Sequence, residues 1–380
     1  MRILQLGKFY PIKGGVEKVM YDLILGLSKR MIYCDMLCAS EKKATKQEII
    51  EFNAFSKIIV EPSIIELAKT KISLKLVSKL KEIAGRYDII HIHHPDPMST
   101  LALFMSGYKG KVILHWHSDI IAQKKLLLLY KPLQNWLLKR ADLILTTSPN
   151  YLEYSEDLKK YKRKCKILPI GIEDISLCSD SEAVRRIKEK YKNKKIIFSL
   201  GRLVHYKGFE YLINAADYLN DDYVILIGGE GPLKSNLQDL INQKNYSSKV
   251  ELLGYLDNAS LYSYYNACDL FCLSSIEKTE AFAIVQIEAM AFGKPVIATK
   301  IYGSGVPWVN EDGYSGINVE PRNSEGIGKT IVKILQNSEN YNKFSMNARK
   351  RYIENFSIDI MIDNCLKFYE ILEKTHYNKK

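Results

Sequence analysis

Two basic residues occupy a short loop that glycines bracket. The stretch Gly201-Arg-Leu-Val-His-Tyr-Lys-Gly208 follows an apolar run and precedes a predicted helix. Arg202 and Lys207 are fixed cations beside the free N–H groups of a helix start, which suits a diphosphate better than a neutral ligand. Two solvated surface cations are the alternative. Walker A spacing is absent, which disfavours a nucleotide triphosphatase of the P-loop type.

Two carboxylates stand eight residues apart in a second polar stretch, Glu280-Ala-Phe-Ala-Ile-Val-Gln-Ile-Glu288. Its apolar spacing predicts a packed helix that begins near Glu280. Eight residues are a little over two helical turns, so both carboxylates are expected on one side of the segment. That separation is too long for a paired acid/base dyad. It suits one carboxylate on a sugar hydroxyl and the other on a ribose, with solvated helix charges as the alternative.

A glycine pair follows the first apolar run of the chain. Gly14 and Gly15 open a predicted helix, where free N–H groups and the positive end of the helix dipole can meet a phosphate. The pattern is not G-x-G-x-x-G, which argues against a dinucleotide fingerprint. Taken alone, the pair also fits an ordinary turn.

Five of the seven histidines fall in two clusters, His91-Ile-His-His94 and His115-Trp-His117, at the ends of predicted strands. Residues i and i+2 of a strand share a face, so a metal site is one interpretation. No Cys ligand, acidic cluster or Asp-x-Asp motif accompanies them. We therefore expect sugar or phosphate contact by one or two histidines, a structural role for the rest, no metal and no cofactor.

The segment Gln123–Arg140 is rich in lysine, leucine and tryptophan and is interrupted only by Pro132. Lys124, Lys125 and Lys131 beside apolar side chains suit an anionic bilayer surface. A core-packed helix with solvated lysines is the alternative. We expect these three lysines to face a membrane.

The elements that must position these residues alternate between short apolar runs and longer stretches of helical periodicity. Unbroken runs rich in β-branched residues or leucine are typical of strands that are buried on both faces. The predicted strands are Ile3–Leu6, Asp35–Ala39, Ile58–Val60, Ile89–His93, Val112–His115, Leu143–Thr146, Ile167–Ile170, Ile196–Leu200, Tyr223–Ile227, Val250–Leu253, Leu270–Ser274, Val296–Thr299 and Gly316–Val319. The predicted helices include Glu17–Lys29, Leu67–Ala84, Lys124–Arg140, Glu182–Tyr191 and Ile358–Leu372.

Alternating βα units imply parallel sheets with helices on both faces. Two such series in tandem predict an α/β protein of two doubly wound, Rossmann-like domains, with the ligand in the cleft between them. We expect one domain over 1–172, a second over 173–356, and a C-terminal helix and tail over 357–380.

Composition fits a folded protein of 380 residues with 47% apolar residues and no apolar run long enough to span a bilayer. Seven cysteines, odd in number and without Cys-x-x-Cys spacing, favour reduced thiols in the cytoplasm. The 55 basic and 43 acidic residues give a net charge of +12, which attracts phosphorylated ligands and anionic surfaces. Nucleic acid is not expected as a partner, because no zinc finger, RNP-like or helix-turn-helix signature accompanies the charge.

In this order, G-R-x-x-x-x-K-G and E-x7-E joined to E-A-M-A-x-G-x-P-V resemble retaining glycosyltransferases of the GT-B superfamily, family 4. The resemblance runs from Ile3 to about Val319, with further agreement at Gly228–Pro232 and Ala267–Asp269. The segment His115–Asp119 and the basic helix after it are similar to mannosyltransferases of bacterial surface-polysaccharide assembly, such as O-antigen in lipopolysaccharide. Ala283 stands where the family usually has Gly, and Ser274 where Pro is common.

The resemblance implies that the first domain, 1–172, is the acceptor side and that the second, 173–356, binds the nucleotide-sugar. It implies that the C-terminal crossover helix and tail, 357–380, pack back on the first domain. It also implies roles for matching positions. Arg202 and Lys207 would neutralise the leaving nucleoside diphosphate, Glu280 would bind hydroxyls of the transferred sugar, and His117 would lie near that sugar. Glu288 would bind the donor ribose. Further donor contacts are implied at Gly14, Gly15, Asp119, Gly201, Gly229, Phe282, Ala283, Ile284 and Val285.

The expected activity is transfer of mannose from GDP-mannose to a lipid-linked glycan at the inner face of the cytoplasmic membrane. Retention would proceed by same-face attack, with a donor phosphate oxygen taking the acceptor's proton. No residue visibly reads guanine over uracil, so a transferase that uses a UDP-sugar is an alternative. A nucleotide-sugar epimerase and a non-catalytic protein that binds sugar nucleotides or glycans are the others.

Overall fold

The computed structural model describes residues 1–43, 45–67, 70–120 and 124–377. The chain divides into two compact units. The first comprises Met1–Gly171 together with Ile358–Lys380, and the second comprises Ile172–Ser357. The predicted class, two Rossmann-like α/β domains, is confirmed, and the C-terminal helix belongs to the first unit.

The first unit is built on one large sheet. Its elements are β1 (Arg2–Tyr10), α1 (Val16–Lys29), β2 (Tyr33–Lys43), β3 (Glu48–Asn53), β4 (Ser56–Ser63), β5 (Ile65–Leu67), β6 (Thr70–Ile72), α2 (Leu74–Ile83), β7 (Ile89–His94), α3 (Pro97–Ser106), β8 (Lys111–Trp116), α4 (Lys124–Arg140), β9 (Leu143–Thr146), α5 (Pro149–Tyr154) and β10 (Cys165–Ile167). The eight strands lie in the order β10-β9-β8-β7-β1-β2-β4-β3, and β3 alone among these is antiparallel to its neighbour.

The second unit has a six-stranded, wholly parallel sheet in the order β13-β12-β11-β14-β15-β16. Its elements are α6 (Ser181–Lys190), β11 (Lys195–Leu200), α7 (Phe209–Asn214), β12 (Tyr223–Gly228), α8 (Lys234–Gln243), β13 (Val250–Gly254), α9 (Asn258–Ala267), β14 (Leu270–Cys272), α10 (Ile284–Ala291), β15 (Val296–Thr299), α11 (Val306–Val309), β16 (Gly316–Val319), α12 (Ser324–Leu335) and α13 (Ser338–Arg351). The final helix, α14 (Ile358–Tyr377), returns to the first unit.

Parallel strands bring the chemistry-bearing residues to one end of each sheet. In the second unit, the loops after β11, β12 and β14 all leave from carboxyl ends of neighbouring strands, where ligands of such sheets bind. In the first unit, His93 of β7 lies beside His115 of β8, and Gln5 of β1 lies beside His91. The register therefore gathers the histidines and Gln5 in the middle of the sheet.

Two expectations about elements were wrong, and one strand of the large sheet was not predicted. The helix predicted over Leu67–Ala84 begins only at Leu74, where the Ser73 hydroxyl accepts the Leu76 N–H at 3.2 Å. The chain before it forms the β5–β6 hairpin, in which Ile65 lies opposite Ile72. The strand predicted at Ile167–Ile170 lies at Cys165–Ile167. The strand β3 was missed, since its exposed residues alternate with half-buried ones and give no buried run.

None of the described helices combines the length and the apolar character needed to cross a membrane.

Candidate donor-binding site

The loop after β11 holds its two cations in different environments. Arg202 is exposed, and its guanidinium makes no hydrogen bond or ion pair with the described residues. Lys207 is 8% exposed, and its Nζ lies 2.5 Å from Glu280 Oε2. The loop thus presents one free guanidinium and one ammonium that is already held in place by a carboxylate.

Glycines let the loops after β11 and β12 approach closely. The Gly201 N–H donates to the Gly228 carbonyl at 3.1 Å, and the Leu203 N–H to the Glu230 carbonyl at 2.9 Å. A Cβ at Gly229 would lie 2.0 Å from the Gly201 carbonyl oxygen, and a Cβ at Gly201 would lie 3.1 Å from the Lys207 side chain. Any larger residue at Gly229 would therefore displace the loop that carries the cations.

Glu280 lies in the loop before α10 and is nearly buried. Its Oε2 accepts from the Ser275 hydroxyl at 2.9 Å as well as from Lys207, and its Oε1 makes no hydrogen bond with the described residues. The carboxylate therefore keeps one oxygen for a further donor, such as a sugar hydroxyl. The Glu280 backbone is fixed in turn, because its carbonyl accepts from Ser304 Oγ.

The predicted helical relation between Glu280 and Glu288 was wrong. The helix α10 begins at Ile284, four residues after Glu280, so the two carboxylates are not on one continuous helix. The reason is a turn before the helix. The Glu280 N–H donates to the Glu277 carbonyl at 2.9 Å, and Ala283 takes a left-handed conformation with φ 61°.

The start of α10 combines free N–H groups with apolar packing. Ala283 is its N-cap residue, and Ile284 and Val285 are its first two helical residues, whose N–H groups have no backbone acceptor among the described residues. Phe282 is buried, with its ring edge-on to Phe356 at 6.0 Å. This arrangement offers an anion two N–H donors at the positive end of a helix.

Glu288 lies one turn further along α10. Its Oε2 accepts from the hydroxyl of Tyr265, a fully buried residue of α9, at 2.8 Å. Burial raises the pKa of the Glu288 carboxyl, while the bond from Tyr265 opposes the rise. The tyrosine thus fixes the orientation of this carboxylate.

At Ser274, a hydroxyl stands where the family often has proline. Ser274 Oγ donates to the Lys207 carbonyl oxygen at 3.0 Å. This bond ties the end of β14 to the loop that carries the cations, a tie that proline lacks the donor to make.

In the first unit, Gly14 and Gly15 precede α1. Gly15 is the N-cap residue, and its φ of 60° is in the left-handed region that favours glycine. Glu17, in the first turn, is 8% exposed, and burial raises the pKa of its carboxyl. The N-terminus of α1 therefore already has a buried carboxylate beside it.

The histidines form a buried stack. The ring of His117 lies 4.0 Å from that of His115 and 5.2 Å from that of His93, and the ring of His91 lies 4.6 Å from that of His93. Burial lowers the pKa of each of the five clustered histidines, to about 3 for His115. The cluster is therefore neutral at physiological pH.

One nitrogen from each of His91, His93 and His115 lies within 4.8 Å of the others, the spacing of a possible metal site. The His91 ring is stacked within 18° on the rings of His93 and His115, which are tilted by 35° to each other, so the in-plane lone pairs run largely side by side. A metal needs them to converge on one point about 2.0–2.1 Å from each nitrogen. Both nitrogens of His93 are also already hydrogen-bonded. The geometry is that of a stack and does not suit a metal.

Asp119, a predicted donor contact, is engaged within its own unit. Its Oδ1 accepts from the Trp116 indole N–H and from the Ser155 hydroxyl, both at 2.9 Å. Its N–H donates to the Tyr151 hydroxyl at 2.5 Å. These bonds brace the chain after β8, next to His117.

Helix α4 contains the predicted membrane-facing lysines. Lys124 and Lys125 begin it, and their side chains lie outside the described part of the chain. Lys131 forms an ion pair with Asp157, so its charge is compensated. Leu128 and Leu129 are 76% and 81% exposed. Exposed leucines are thus the most evident feature of this surface.

Four residues that support these groups were missed from the sequence. Ser275 follows β14, and its place at the carboxyl end of a strand is a signal that could have found it. Tyr265, Gln5 and Tyr369 lie inside regular elements, and no local pattern distinguishes them from core residues. Their partners are set by tertiary packing alone.

Two Rossmann-like parallel units in one chain, with glycine loops and paired charges beyond the strands of the second, define the GT-B class of glycosyltransferase. Residues 13–174 match the model of Glycosyltransferase Family 4, and residues 180–351 match that of Glycosyl transferases group 1. The chain is 32% identical to the O-antigen chain mannosyltransferase C of Escherichia coli, over 98% of this chain and 99% of that protein. The chain therefore belongs to the group 1, family 4 glycosyltransferases and is a transferase enzyme.

Other known proteins are similar over nearly the whole chain. D-rhamnosyltransferase WbpZ of Pseudomonas aeruginosa is 27% identical over 94% of this chain and 92% of its own. Sucrose-phosphate synthase from Thermosynechococcus elongatus has a TM-score of 0.78 at 19% identity, covering 99% of this chain and 100% of its own. Anabaena HepE in complex with UDP has a TM-score of 0.75 at 19% identity, covering 97% and 100%. These two structures share the fold.

Proposed function

We propose that the protein transfers mannose, with retention, from GDP-mannose to a lipid-linked glycan in surface polysaccharide biosynthesis. The observation that carries the donor site is the pairing of Lys207 with Glu280 beside the free cation of Arg202. The choice of sugar rests on the likeness to the E. coli O-antigen mannosyltransferase. The choice of base rests on the resemblance of the sequence motifs to surface-polysaccharide mannosyltransferases, since no described residue visibly selects guanine.

In the proposed reaction, Arg202 and Lys207 contact the diphosphate and stabilise its charge as the bond to the sugar breaks. The N–H groups of Ile284 and Val285 add donors at the positive end of α10. Gly14 and Gly15 offer backbone contacts to the same donor. Each of these groups acts most strongly on the departing diphosphate, so each favours the transition state over the bound donor.

Glu280 offers its free Oε1 to a hydroxyl of the transferred sugar, and His117 accepts from another. Glu288, oriented by Tyr265, binds the ribose. The acceptor hydroxyl attacks on the face from which the diphosphate leaves, and a phosphate oxygen of the donor takes its proton. The configuration at the anomeric carbon is thereby retained without a nucleophile from the enzyme.

The purified enzyme should be incubated with GDP-mannose, UDP-glucose or UDP-N-acetylglucosamine, with and without a short lipid-linked oligosaccharide. We expect acceptor-dependent release of GDP and an axial, retained linkage in the product. Preference for a UDP-sugar would overturn the base assignment. A changed sugar with donor alone would indicate an epimerase, and binding without turnover with every donor would indicate a non-catalytic protein.

We also propose peripheral association with the inner face of the cytoplasmic membrane, where a lipid-linked acceptor is found. Leu128 and Leu129 of α4 expose apolar side chains, and Phe104 and Met105 of the neighbouring α3 are 51% and 54% exposed. Phe104 packs edge-on against Trp136 of α4 at 5.0 Å, so apolar side chains of the two helices are in contact there. Apolar side chains flanked by lysines are suited to the headgroup region of an anionic bilayer.

A further inference from the structure

A continuous chain of hydrogen bonds runs from the C-terminal helix to His117 through the core of the first unit. The Tyr369 hydroxyl of α14 lies 3.0 Å from Gln5 Nε2, Gln5 Oε1 lies 2.7 Å from His93 Nε2, and His93 Nδ1 lies 2.9 Å from His117 Nε2. Gln5, His93 and Tyr369 are fully buried. Water therefore cannot replace a partner in this series of hydrogen bonds. In each bond, one of the two facing atoms must carry the proton and the other must accept it.

The amide of Gln5 sets the direction of the whole chain. Its Nε2 lies 3.0 Å from the Tyr369 hydroxyl oxygen and 3.6 Å from Cys34 Sγ, and each of these atoms can accept one of the two amide hydrogens. Its carbonyl oxygen faces His93 Nε2, and an oxygen can only accept. His93 Nε2 therefore carries the proton, and burial lowers the pKa of His93 so that the ring is neutral.

A neutral imidazole has one N–H, so His93 Nδ1 is an acceptor. The facing atom, His117 Nε2, must then donate. His117 is also neutral, because burial lowers its pKa. Its remaining nitrogen, Nδ1, is consequently a bare acceptor, and it makes no hydrogen bond with the described residues. His117 is 6% exposed, so the open position lies at the edge of the stack.

We propose that Gln5 and His93 are positioning residues, which hold His117 as the Nε2–H tautomer and present its bare Nδ1 to a hydroxyl of the donor sugar. The kinetic part of this inference rests on the proposed function, in which His117 contacts the transferred sugar. The tautomer itself does not. A bare Nδ1 makes His117 an acceptor and denies it the role of general acid toward that hydroxyl.

The arrangement also couples the C-terminal helix to the site. Tyr369 is one of the two acceptors that keep the Gln5 amide in its orientation, and it contacts His91 Nδ1 at 2.6 Å. If the amide turned over, every donor in the chain would become an acceptor and His117 would carry its proton on Nδ1. One amide orientation in the core therefore decides the chemistry of a nitrogen at the site.

The direct test is ¹⁵N NMR of the full-length enzyme labelled at histidine, without donor. We expect His117 and His93 each to show a protonated Nε2 and a bare Nδ1, with assignments from the loss of signals in His117→Gln. A proton on His117 Nδ1 in the wild-type enzyme would overturn the proposal. This measurement does not require enzymatic activity, so it tests the tautomer independently of the proposed function. If no sugar nucleotide is turned over, that result counts against the proposed function alone.

The second test replaces the amide. Gln5→Met removes the acceptor for His93, so we expect mixed tautomers at His117 and a loss of about tenfold in kcat/KM, the usual worth of one hydrogen bond to substrate. The same comparison is then made with monodeoxy GDP-mannose donors. For the donor that lacks the hydroxyl recognised by His117, Gln5→Met should lower kcat/KM by less than twofold. An unchanged His117 spectrum together with wild-type kinetics would overturn the proposal.

His94→Phe is the matched control. His94 is equally buried in β7 but stacks on Trp116 at 3.8 Å and takes no part in the chain. Its loss should leave the His117 tautomer and kcat/KM unchanged. If Gln5→Met fails to fold, Tyr369→Phe serves instead, since it removes one amide acceptor and leaves the ring packing intact. A partial shift of the His117 tautomer is then expected. The absence of any shift would contradict the role of the C-terminal helix.

Discussion

Arg202 and Lys207 bring equal charges to one loop, but only Lys207 is bound to a carboxylate. Its Nζ is held 2.5 Å from Glu280, and both side chains are about one-tenth exposed. A buried charge that is paired before substrate arrives needs no reorganisation when the diphosphate binds. Arg202 is exposed and can adjust to the donor. The loop thus combines a cation held by an ion pair with an exposed one.

Arg202→Ala and Lys207→Ala should each lower turnover by about 100-fold or more, because each removes stabilisation of the leaving diphosphate. Transfer from GDP-mannose under saturating donor is the measurement. Wild-type rates in both folded variants would contradict the assignment of this loop.

The same two variants should differ in stability. Lys207→Ala leaves Glu280 as an unpaired buried carboxylate, which costs roughly 3 kcal/mol of unfolding free energy. Arg202→Ala removes an exposed side chain and should change it by less than about 0.5 kcal/mol. Adding Glu280→Gln to Lys207→Ala should restore most of the stability but none of the activity, which separates the structural from the catalytic effect.

Ala283 carries backbone strain at the start of α10. Its φ of 61° and ψ of 77° lie in the left-handed region, which costs a residue with a Cβ about 1–2 kcal/mol. Ala283→Gly should therefore raise the unfolding free energy by about 0.5–1 kcal/mol, after the added flexibility of the unfolded glycine is subtracted.

Urea denaturation of the two variants Ala283→Gly and Ala289→Gly checks this prediction. Ala289 lies inside the right-handed part of α10 and is buried, so glycine there should destabilise the protein by about 1 kcal/mol. The same substitution should thus have opposite signs six residues apart. A loss of stability in both variants would show that Ala283 is not strained.

At the scale of elements, the sequence was most informative where strands are buried on both faces. Three predicted strands have the bounds that the structure gives them: Leu143–Thr146, Val296–Thr299 and Gly316–Val319. An unbroken apolar run can be identified from the local sequence, without knowing which strand lies next to it. The predicted helix Leu67–Ala84 wrongly included the end of β5 and all of β6, since only Ser73 marks the point where the true helix starts.

The residue types of the candidate site could be predicted from the sequence, but the hydrogen bonds and ion pairs between them could not. Glycines and charges after strands pointed to the loops at Arg202 and Glu280. The ion pair of Lys207 with Glu280, the bond from Tyr265 to Glu288, and the chain through Gln5 each join residues that are far apart in sequence. Such pairs depend on register and packing, which a single sequence does not display.

The histidines of β7 and of the β8 end should make stability depend on pH. Burial lowers the pKa of all five below the ordinary value, so the folded protein does not take up protons that the unfolded chain binds below about pH 6.5. The unfolding free energy should therefore fall with decreasing pH, by up to about 1.4 kcal/mol per pH unit for each histidine.

The raised pKa values of Glu17 and Glu288 act in the opposite direction, because the folded protein then binds protons more readily than the unfolded chain. Five histidines outnumber these two groups, so the net loss should remain. Urea denaturation at pH 7.5 and pH 5.5 measures it, and His94→Phe should reduce the slope by one histidine's share. A stability that does not change between these pH values would contradict the neutral stack.

At the scale of the whole molecule, the proposed donor site contains cations and N–H donors that could do the work of a metal ion. The positive charge of Arg202 and Lys207 and the N-terminus of α10 can stabilise a diphosphate by themselves. Transfer should therefore persist at an undiminished rate in EDTA. Activity that is lost in chelator and restored by manganese or magnesium would contradict this and return attention to the three nitrogens of His91, His93 and His115.

The basic surplus of the chain and the apolar surface of α3 and α4 lead to the last prediction. With a net charge of +12, the protein should bind vesicles that contain anionic lipid more strongly than neutral ones. High salt should weaken this binding, since the Debye length falls to about 3 Å at 1 M. General charge alone would give the same result, so the test must distinguish α4 from the remaining surface.

Leu128→Ser combined with Leu129→Ser should weaken vesicle binding by about tenfold or more, because burying one such side chain in hydrocarbon is worth about 1.5–3 kcal/mol. Leu177→Ser is the matched control, since Leu177 is 92% exposed but lies in the second unit. Both proteins should release GDP from GDP-mannose at the wild-type rate, because neither change touches the donor loops.

Charge is tested separately, with Lys131 left in place because Asp157 already neutralises it. Lys124→Gln with Lys125→Gln should reduce binding to anionic vesicles by about tenfold at low salt, each lysine being worth about 1 kcal/mol near such a surface. Lys333→Gln with Lys343→Gln, two exposed lysines of the second unit, removes the same net charge and should have little effect. If both pairs weaken binding equally, the attraction comes from overall charge. If the leucine and lysine variants of α4 bind as the wild type does, the helix is ordinary packing and the acceptor is a soluble glycan.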